Sequence, residues 1–191
     1  MSKHTCRSFL PFVTLLVAAQ LLCGQADGQQ QQAAPAHETP AVLLRVLGAV
    51  AKPQEWSAEQ IREQFSKDIQ KVSYTSRGQK IESRCVSLYA ILKTAGAEVD
   101  LKMSPGTEPG KKNKPVRLAV VVTGRDGYTA TFSLGELLPE VGGRQVWLAL
   151  DANDKAFAEG EGHLRVISPE DKSPSRWVRD VGSIQVVDAT K

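Results

Sequence analysis

The sequence is short of the residues that build metal centres and disulfide frameworks. It has three cysteines and three histidines in 191 residues. Cys6 and Cys23 lie near the N-terminus and leave Cys85 alone in the rest of the chain, which excludes a disulfide within that part. His163 is the only histidine after position 42, and no HExxH motif, CxxC pair or acidic calcium loop is present. The missing GxSxG elbow removes the usual basis for hydrolase chemistry.

The chain also lacks a strong charge of either sign and a long hydrophobic run. The formal net charge is only +3, so a nucleic-acid partner has no electrostatic support. The one extended apolar stretch, residues 9–23, is interrupted by Gln20. It falls short of the roughly 20 apolar residues that a membrane helix needs, so we expect no permanent membrane span.

That apolar stretch fits a secretory signal instead. Basic residues precede it at positions 3 and 7, and small residues follow it at positions 24 and 26, so we predict a signal peptide over residues 1–26. No arginine pair precedes the stretch, which indicates the Sec route and a periplasmic or secreted protein. The bulky residues Gln20, Leu21 and Leu22 argue against lipidation of Cys23.

Residues 27–41 contain glutamine, alanine, glycine and proline and hardly any large apolar side chain. Such a segment cannot bury enough surface to offset the entropy of ordering, so it is predicted to be a disordered tether. The folded domain is expected over residues 42–191.

Residues 116–150 give the clearest structural pattern. A nearly unbroken apolar run predicts a strand over residues 116–123, buried on both faces. Asp126-Gly127 predicts a hairpin turn into a second strand. Ser133 and Glu136 have capping-box spacing for a brief helix, and residues 145–150 read as another strand.

The rest of the chain predicts an alternation of short elements. Strands are expected at residues 42–50, 164–167 and 183–187, and Arg77-Gly78 is expected to turn a weaker extended segment back on itself. A capping box at Ser57 and an apolar stripe after Ser87 predict two helices, the second ending at Gly96. Residues 101–115 are predicted to be a long mobile loop, and residues 168–180 a charged loop.

Four segments together resemble a known family. They are the opening strand, SLYAILKTAG at residues 87–96, GRDGYTATFSLGEL at residues 124–137 and GHLRVISPEDKSPSRWVRDVGSIQV at residues 162–186. This order is similar to the small bacterial proteins built on the oxidoreductase molybdopterin-binding domain, the sulfite-oxidase fold. The resemblance implies an α+β domain of mostly β structure, with mixed sheets and short helices.

The resemblance also implies a cofactor, which this sequence matches only in part. Catalytic relatives bind molybdenum through a pterin and one cysteine thiolate, which follows the strand that here begins near Val72. This sequence has Val72-Ser73-Tyr74-Thr75 there, with no thiol. Cys85 lies where relatives commonly carry a glycine, and we interpret it as a packed core thiol. A Sec signal would moreover export the chain unfolded and without its cofactor, so no cofactor is expected, with molybdopterin as the alternative.

The candidate site lies in the charged loop. In catalytic relatives a basic residue before a tryptophan contacts the pterin or its phosphate, and Arg176 occupies that place before Trp177. Lys172 and Arg179 lie nearby in sequence, and a guanidinium group can hold phosphate or carboxylate with two hydrogen bonds. The competing interpretation is that Arg176 pairs with Glu170 or Asp171 while Trp177 fills the core.

Three functions remain open from the sequence. The leading hypothesis is an exported binding or accessory module that lacks the metal-ligating cysteine, with Lys172, Arg176 and Trp177 contacting a small anionic ligand or a pterin. The second is a molybdopterin oxidoreductase with atypical metal coordination. The third is a structural domain that binds an envelope protein.

Overall fold

The computed structural model describes residues 43–101, 112–158 and 160–190. The predicted signal peptide, the predicted tether and the first residue of the predicted domain lie outside the described residues. So do residues 102–111 of the predicted long loop.

The described chain forms ten strands, three short α-helices and two 3₁₀ helices. The strands are β1 Leu44–Gly48, β2 Gln54–Trp56, β3 Gln70–Ser76, β4 Gln79–Ser87, β5 Leu118–Gly124, β6 Thr129–Ser133, β7 Trp147–Ala149, β8 Arg165–Ile167, β9 Val178–Arg179 and β10 Val181–Asp188. The α-helices are α1 Ala58–Gln64, α2 Leu88–Thr94 and α3 Leu134–Leu137, and the 3₁₀ helices are Lys114–Arg117 and Pro174–Arg176.

These strands make two five-stranded sheets. The first has the order β2-β1-β10-β5-β6, with β1 and β10 parallel and the other pairs antiparallel. The second has the order β3-β4-β7-β8-β9 and is antiparallel throughout. The protein is therefore of the α+β class, mostly β, with one mixed sheet, as predicted.

The hairpin predicted at Asp126-Gly127 is present. β5 pairs with β6 up to Thr123 and Thr129, and Gly127 has the positive φ of 84° that the turn requires. The first strand of this hairpin, β5, begins at Leu118 rather than at position 116, because Pro115 and its neighbours form a 3₁₀ helix. The prediction that both faces of β5 are buried was wrong for one face, which is only half-buried. Its residues alternate between buried and half-buried, because only one face meets the core.

Both predicted capping boxes form. The Gln60 and Glu136 side chains accept hydrogen bonds from the backbone N–H groups of Ser57 and Ser133, at 2.8 and 3.0 Å. The predicted stripe on α2 is fully buried at Leu88, Ile91, Leu92 and Ala95. Burial of each of the larger members contributes roughly 1.5–3 kcal/mol, so packing rather than local propensity stabilises this short helix.

Several predicted boundaries needed correction. The strand expected at residues 145–150 is only Trp147–Ala149, and the one expected at residues 42–50 is Leu44–Gly48. The segment at residues 70–87 is a longer hairpin than predicted. The loop expected at residues 168–180 contains a 3₁₀ helix and the short strand β9, because tertiary pairing with β8 orders residues whose composition alone favours a loop.

The second sheet buries side chains on both of its faces. Val86, Leu148, Val166 and Val178 join the main core with the first sheet and the helices. The opposite face carries a smaller cluster of Tyr74, Cys85, Trp147, Ala149 and Ile167. Because side chains alternate along a strand, Arg165 in β8 and Arg179 in β9 lie on the face of this smaller cluster. Within the described residues, no helix is long and apolar enough to cross a membrane.

Candidate functional site

Arg176 is bound to two carboxylates. Its Nε and Nη2 atoms donate to the two oxygens of Asp171, at 2.9 and 2.7 Å, and its Nη1 atom donates to Oε1 of Glu136 at 3.0 Å. The guanidinium carbon also lies 4.6 Å from the centre of the Phe132 ring. The residue thus joins the charged loop to α3 and β6. This geometry matches the predicted pairing with Asp171.

The pairing has an electrostatic signature at both residues. The hydrogen bonds from Arg176 lower the pKa of Asp171 below its ordinary value, in spite of partial burial. The same hydrogen bonds raise the pKa of Arg176. Each residue therefore stabilises the charged form of the other, as expected of an ion pair that organises the loop.

Trp177 is half-buried and links the loop to the second sheet. Its Nε1 donates to the backbone oxygen of Ser168 at 3.0 Å, and its ring meets Tyr74 edge-on with the ring centres 5.3 Å apart. Lys172 is exposed and makes no ion pair with a described residue. Of the three predicted ligand contacts, Arg176 therefore contacts Asp171 and Glu136, Trp177 contacts Ser168 and Tyr74, and Lys172 is exposed. Ligand binding by these three residues stays a prediction.

Cys85 lies in the smaller cluster and is fully buried. Its Sγ donates to the backbone oxygen of Ser83 at 3.4 Å. Burial, with a smaller effect from the negative charge of Asp151, raises the pKa of the Cys85 thiol to about 12. A buried thiol with a raised pKa is a poor nucleophile at neutral pH, as expected of a packed core residue.

A polar cavity of about 390 Å³ lies beside Trp177, on the face of the second sheet that carries the smaller cluster. Trp177, Pro174 and Ile81 form its apolar wall. Its charged lining consists of Arg77, Arg165, Arg179 and Glu161, and its uncharged polar lining of Thr75, Ser76 and Gln79. Thr75 belongs to the segment where the sequence resemblance placed a metal-ligating thiol.

Arg165 is the most buried of the cavity's cations, with 7% of its side chain exposed. Its Nη2 donates to Glu161 at 2.9 Å, and its guanidinium stacks over Phe157 at 4.7 Å. Its Nε atom is buried without a hydrogen-bond partner in the described chain. An incompletely bonded buried cation is costly, because desolvation is not offset by hydrogen bonds. The lining of the cavity therefore includes a buried cation whose hydrogen bonds are incomplete.

Neither Arg165 nor Arg77 was predicted from the sequence to be a site residue. One signal was available at Arg165, since an arginine in the middle of the apolar strand Leu164–Ile167 must either pair inside the protein or line a pocket. No local pattern could identify Arg77, which the β3–β4 hairpin turn places at the cavity with a positive φ of 50°.

Among solved structures, the chain resembles the sulfane dehydrogenase SoxCD from Paracoccus pantotrophus. The match has a TM-score of 0.50 and 18% sequence identity, and covers 76% of this chain and 38% of that chain. At this identity the likeness concerns the fold alone, and this chain spans well under half of the enzyme's chain. No family model matches the sequence, and no curated protein is detectably similar to it.

Proposed function

We propose that the protein is an exported binding or accessory module with a sulfite-oxidase-like fold, and that it holds a small anionic ligand in the cavity beside Trp177. The fold likeness to a sulfane dehydrogenase supports the architectural part of this proposal. The sequence pattern of residues 1–41 supports export to the periplasm or beyond, ahead of a tether. The cavity supports the binding role.

Arg165 carries the proposal. It is almost fully buried, its Nε lacks an acceptor, and Arg179 and Arg77 add two further cations around the same space. Guanidinium groups hold phosphate, sulfate and carboxylate through short charge-assisted hydrogen bonds. In this proposal Arg165, Arg179 and Arg77 bind the anion, and Trp177 forms the apolar wall of the cavity. Arg176 has the structural role of holding the loop of residues 168–180.

Molybdopterin fits the cavity at one end only. Its phosphate matches the arginine lining, so Arg165 and Arg179 are the residues that would hold that group. The metal end lacks its usual protein ligand, since no thiol of the described residues lines the cavity and Cys85 is fully buried. A pterin would supply redox chemistry only with molybdenum bound, and the proposed role therefore includes none.

Two measurements test the proposal. Isothermal titration of the purified chain with sodium sulfate, and separately with sodium phosphate, is expected to show saturable binding that Arg165→Met removes. Metal analysis of protein purified from its native host is expected to show no stoichiometric molybdenum. Stoichiometric molybdenum, or the absence of any anion binding, would refute the module as proposed.

An oxidoreductase with atypical metal coordination is the second candidate, and the fold likeness to a sulfane dehydrogenase is the observation that favours it. It predicts pterin fluorescence after denaturation of the native protein, together with reduction of an electron-accepting dye. If neither signal is found, this candidate is eliminated.

A further inference from the structure

Glu161 is the one acidic side chain that lines the cavity within the described residues. Its carboxylate accepts a hydrogen bond from Arg165 Nη2 at 2.9 Å and lies 3.9 Å from Nη1 of Arg77. The chain therefore places one of its own anions where the proposed ligand would meet Arg165.

The backbone around Glu161 is fixed by a hydrogen bond and by close packing, whereas the Glu161 side chain is partly exposed to solvent. The Glu161 N–H donates to the Ala158 carbonyl at 2.9 Å. Gly162 lies so close to Asp180 that a Cβ there would be 2.2 Å from the Asp180 Cβ, so this part of the loop is tightly packed. The Glu161 side chain is 31% exposed, which leaves space for it to rotate towards solvent without opening the loop.

The charges in the cavity do not balance. Three arginines face a single glutamate, and Arg179 makes no ion pair with any described residue. Arg77 is 77% exposed and its contact with Glu161 is long, so this contact contributes little. With Glu161 in place these four side chains carry a net charge of +2, and with Glu161 turned to solvent three arginines remain, so a ligand carrying two negative charges is favoured over a monoanion.

We propose that Glu161 is an internal counterion which competes with the ligand for Arg165, and that the ligand's binding group is a dianionic oxyanion of the sulfate or phosphate-ester class. This inference rests on the proposed function of the cavity. The incoming oxyanion takes the Nη2 hydrogen bond that Glu161 now accepts and bridges to Arg179. The Glu161 carboxylate rotates outward, and the free protein keeps Arg165 neutralised until a ligand arrives.

The test is isothermal titration of the full chain and three variants with sodium sulfate and sodium nitrate. Glu161→Gln keeps the shape and a hydrogen-bond acceptor but removes the competing charge, and we expect it to bind sulfate about tenfold more tightly than the wild type. Glu161→Asp keeps the charge and is expected to stay within about threefold of the wild type. Glu63→Gln removes an exposed charge outside the cavity and serves as the control, with a change below about twofold. Urea denaturation establishes that each variant is folded.

The outcomes separate the two proposals. If sulfate binds neither the wild type nor Glu161→Gln, the proposed function itself fails. If sulfate binds the wild type but Glu161→Gln binds it equally or more weakly, the cavity is an anion site and Glu161 is not a competitor. If nitrate binds the wild type as tightly as sulfate does, the dianion assignment is overturned.

Discussion

Arg165 and Arg179 lie directly opposite each other on the antiparallel strands β8 and β9, so two positive charges are cross-strand neighbours on one face of a sheet. Like charges in this position destabilise a sheet by roughly 0.2–1 kcal/mol. The fold tolerates this cost at the edge of the cavity, which is consistent with a site built for an anion rather than for stability.

The first prediction follows from that pair. Arg179 is exposed and has no ion pair with a described residue, so Arg179→Met removes the repulsion without breaking a contact. We expect the free energy of unfolding to rise by about 0.5 kcal/mol and sulfate affinity to fall about tenfold. Urea denaturation and isothermal titration measure the two effects. Lys52→Met, at an exposed cation that does not line the cavity, is the matched control; a fall in stability with unchanged affinity would contradict the prediction.

The second prediction separates Arg176 from the cavity. Arg176→Ala leaves Asp171 with Arg144 as its remaining ion-pair partner, takes away the ion pair of Glu136 and removes the contact with Phe132. We expect a loss of about 2 kcal/mol in the free energy of unfolding, because three charge-assisted hydrogen bonds are lost, two to Asp171 and one to Glu136. Sulfate affinity is expected to change less than about threefold once measured at a temperature where the variant is folded. A large loss of affinity with full stability would instead make Arg176 an anion contact.

The third prediction concerns stability in acid. Because Arg176 lowers the pKa of Asp171 in the folded protein, the unfolded chain takes up a proton at Asp171 more readily than the folded chain does. The stabilisation is complete at neutral pH and is lost as the pH falls below about 4 towards the lower folded-state value. Asp171→Asn should be less stable than the wild type at pH 7 by about 1–2 kcal/mol, with the difference shrinking by pH 3. Chemical denaturation across this range measures it, and a difference independent of pH would refute the assignment.

The fourth prediction concerns Cys85. A fully buried thiol with its pKa raised to about 12 should resist alkylation in the folded protein. We expect iodoacetamide at pH 8 to leave Cys85 unmodified over hours and to modify it within minutes in concentrated guanidinium chloride, as read by peptide mass spectrometry. Rapid modification of the native protein would show a reactive thiol. It would contradict the interpretation of Cys85 as a packed core thiol and make it a candidate metal ligand.

The fifth prediction concerns the junction of β1 with β10. Gly48 has a φ of +89°, and a Cβ there would lie 2.1 Å from the Val186 carbonyl oxygen. Gly78 has a similar φ of +78° but open space around it, which makes it a matched control. Gly78→Ala should cost about 1 kcal/mol from backbone strain alone, and Gly48→Ala at least about 3 kcal/mol because the clash adds to the strain. Equal costs in urea denaturation would show that the backbone relaxes at Gly48.

Local chemistry made much of the fold predictable. The turn at Asp126-Gly127, the two capping boxes and the stripe on α2 depend on residues a few positions apart, so their spacing is visible in the sequence. The strand boundaries were less predictable. Trp147–Ala149 and Val178–Arg179 are strands because neighbouring strands pair with them, and pairing partners distant in sequence leave no local pattern.

The sequence by itself determined the α+β class and the isolation of Cys85, because composition, periodicity and turn chemistry are properties of short stretches. Only the tertiary structure decided which groups each arginine side chain contacts. Arg176 is engaged by Glu136, which lies 40 positions away, whereas Arg165 is left with an unpartnered Nε beside Arg179. The physical reason is that the partners of a guanidinium group are set by which strands become neighbours, and residues of identical chemistry therefore acquire different roles.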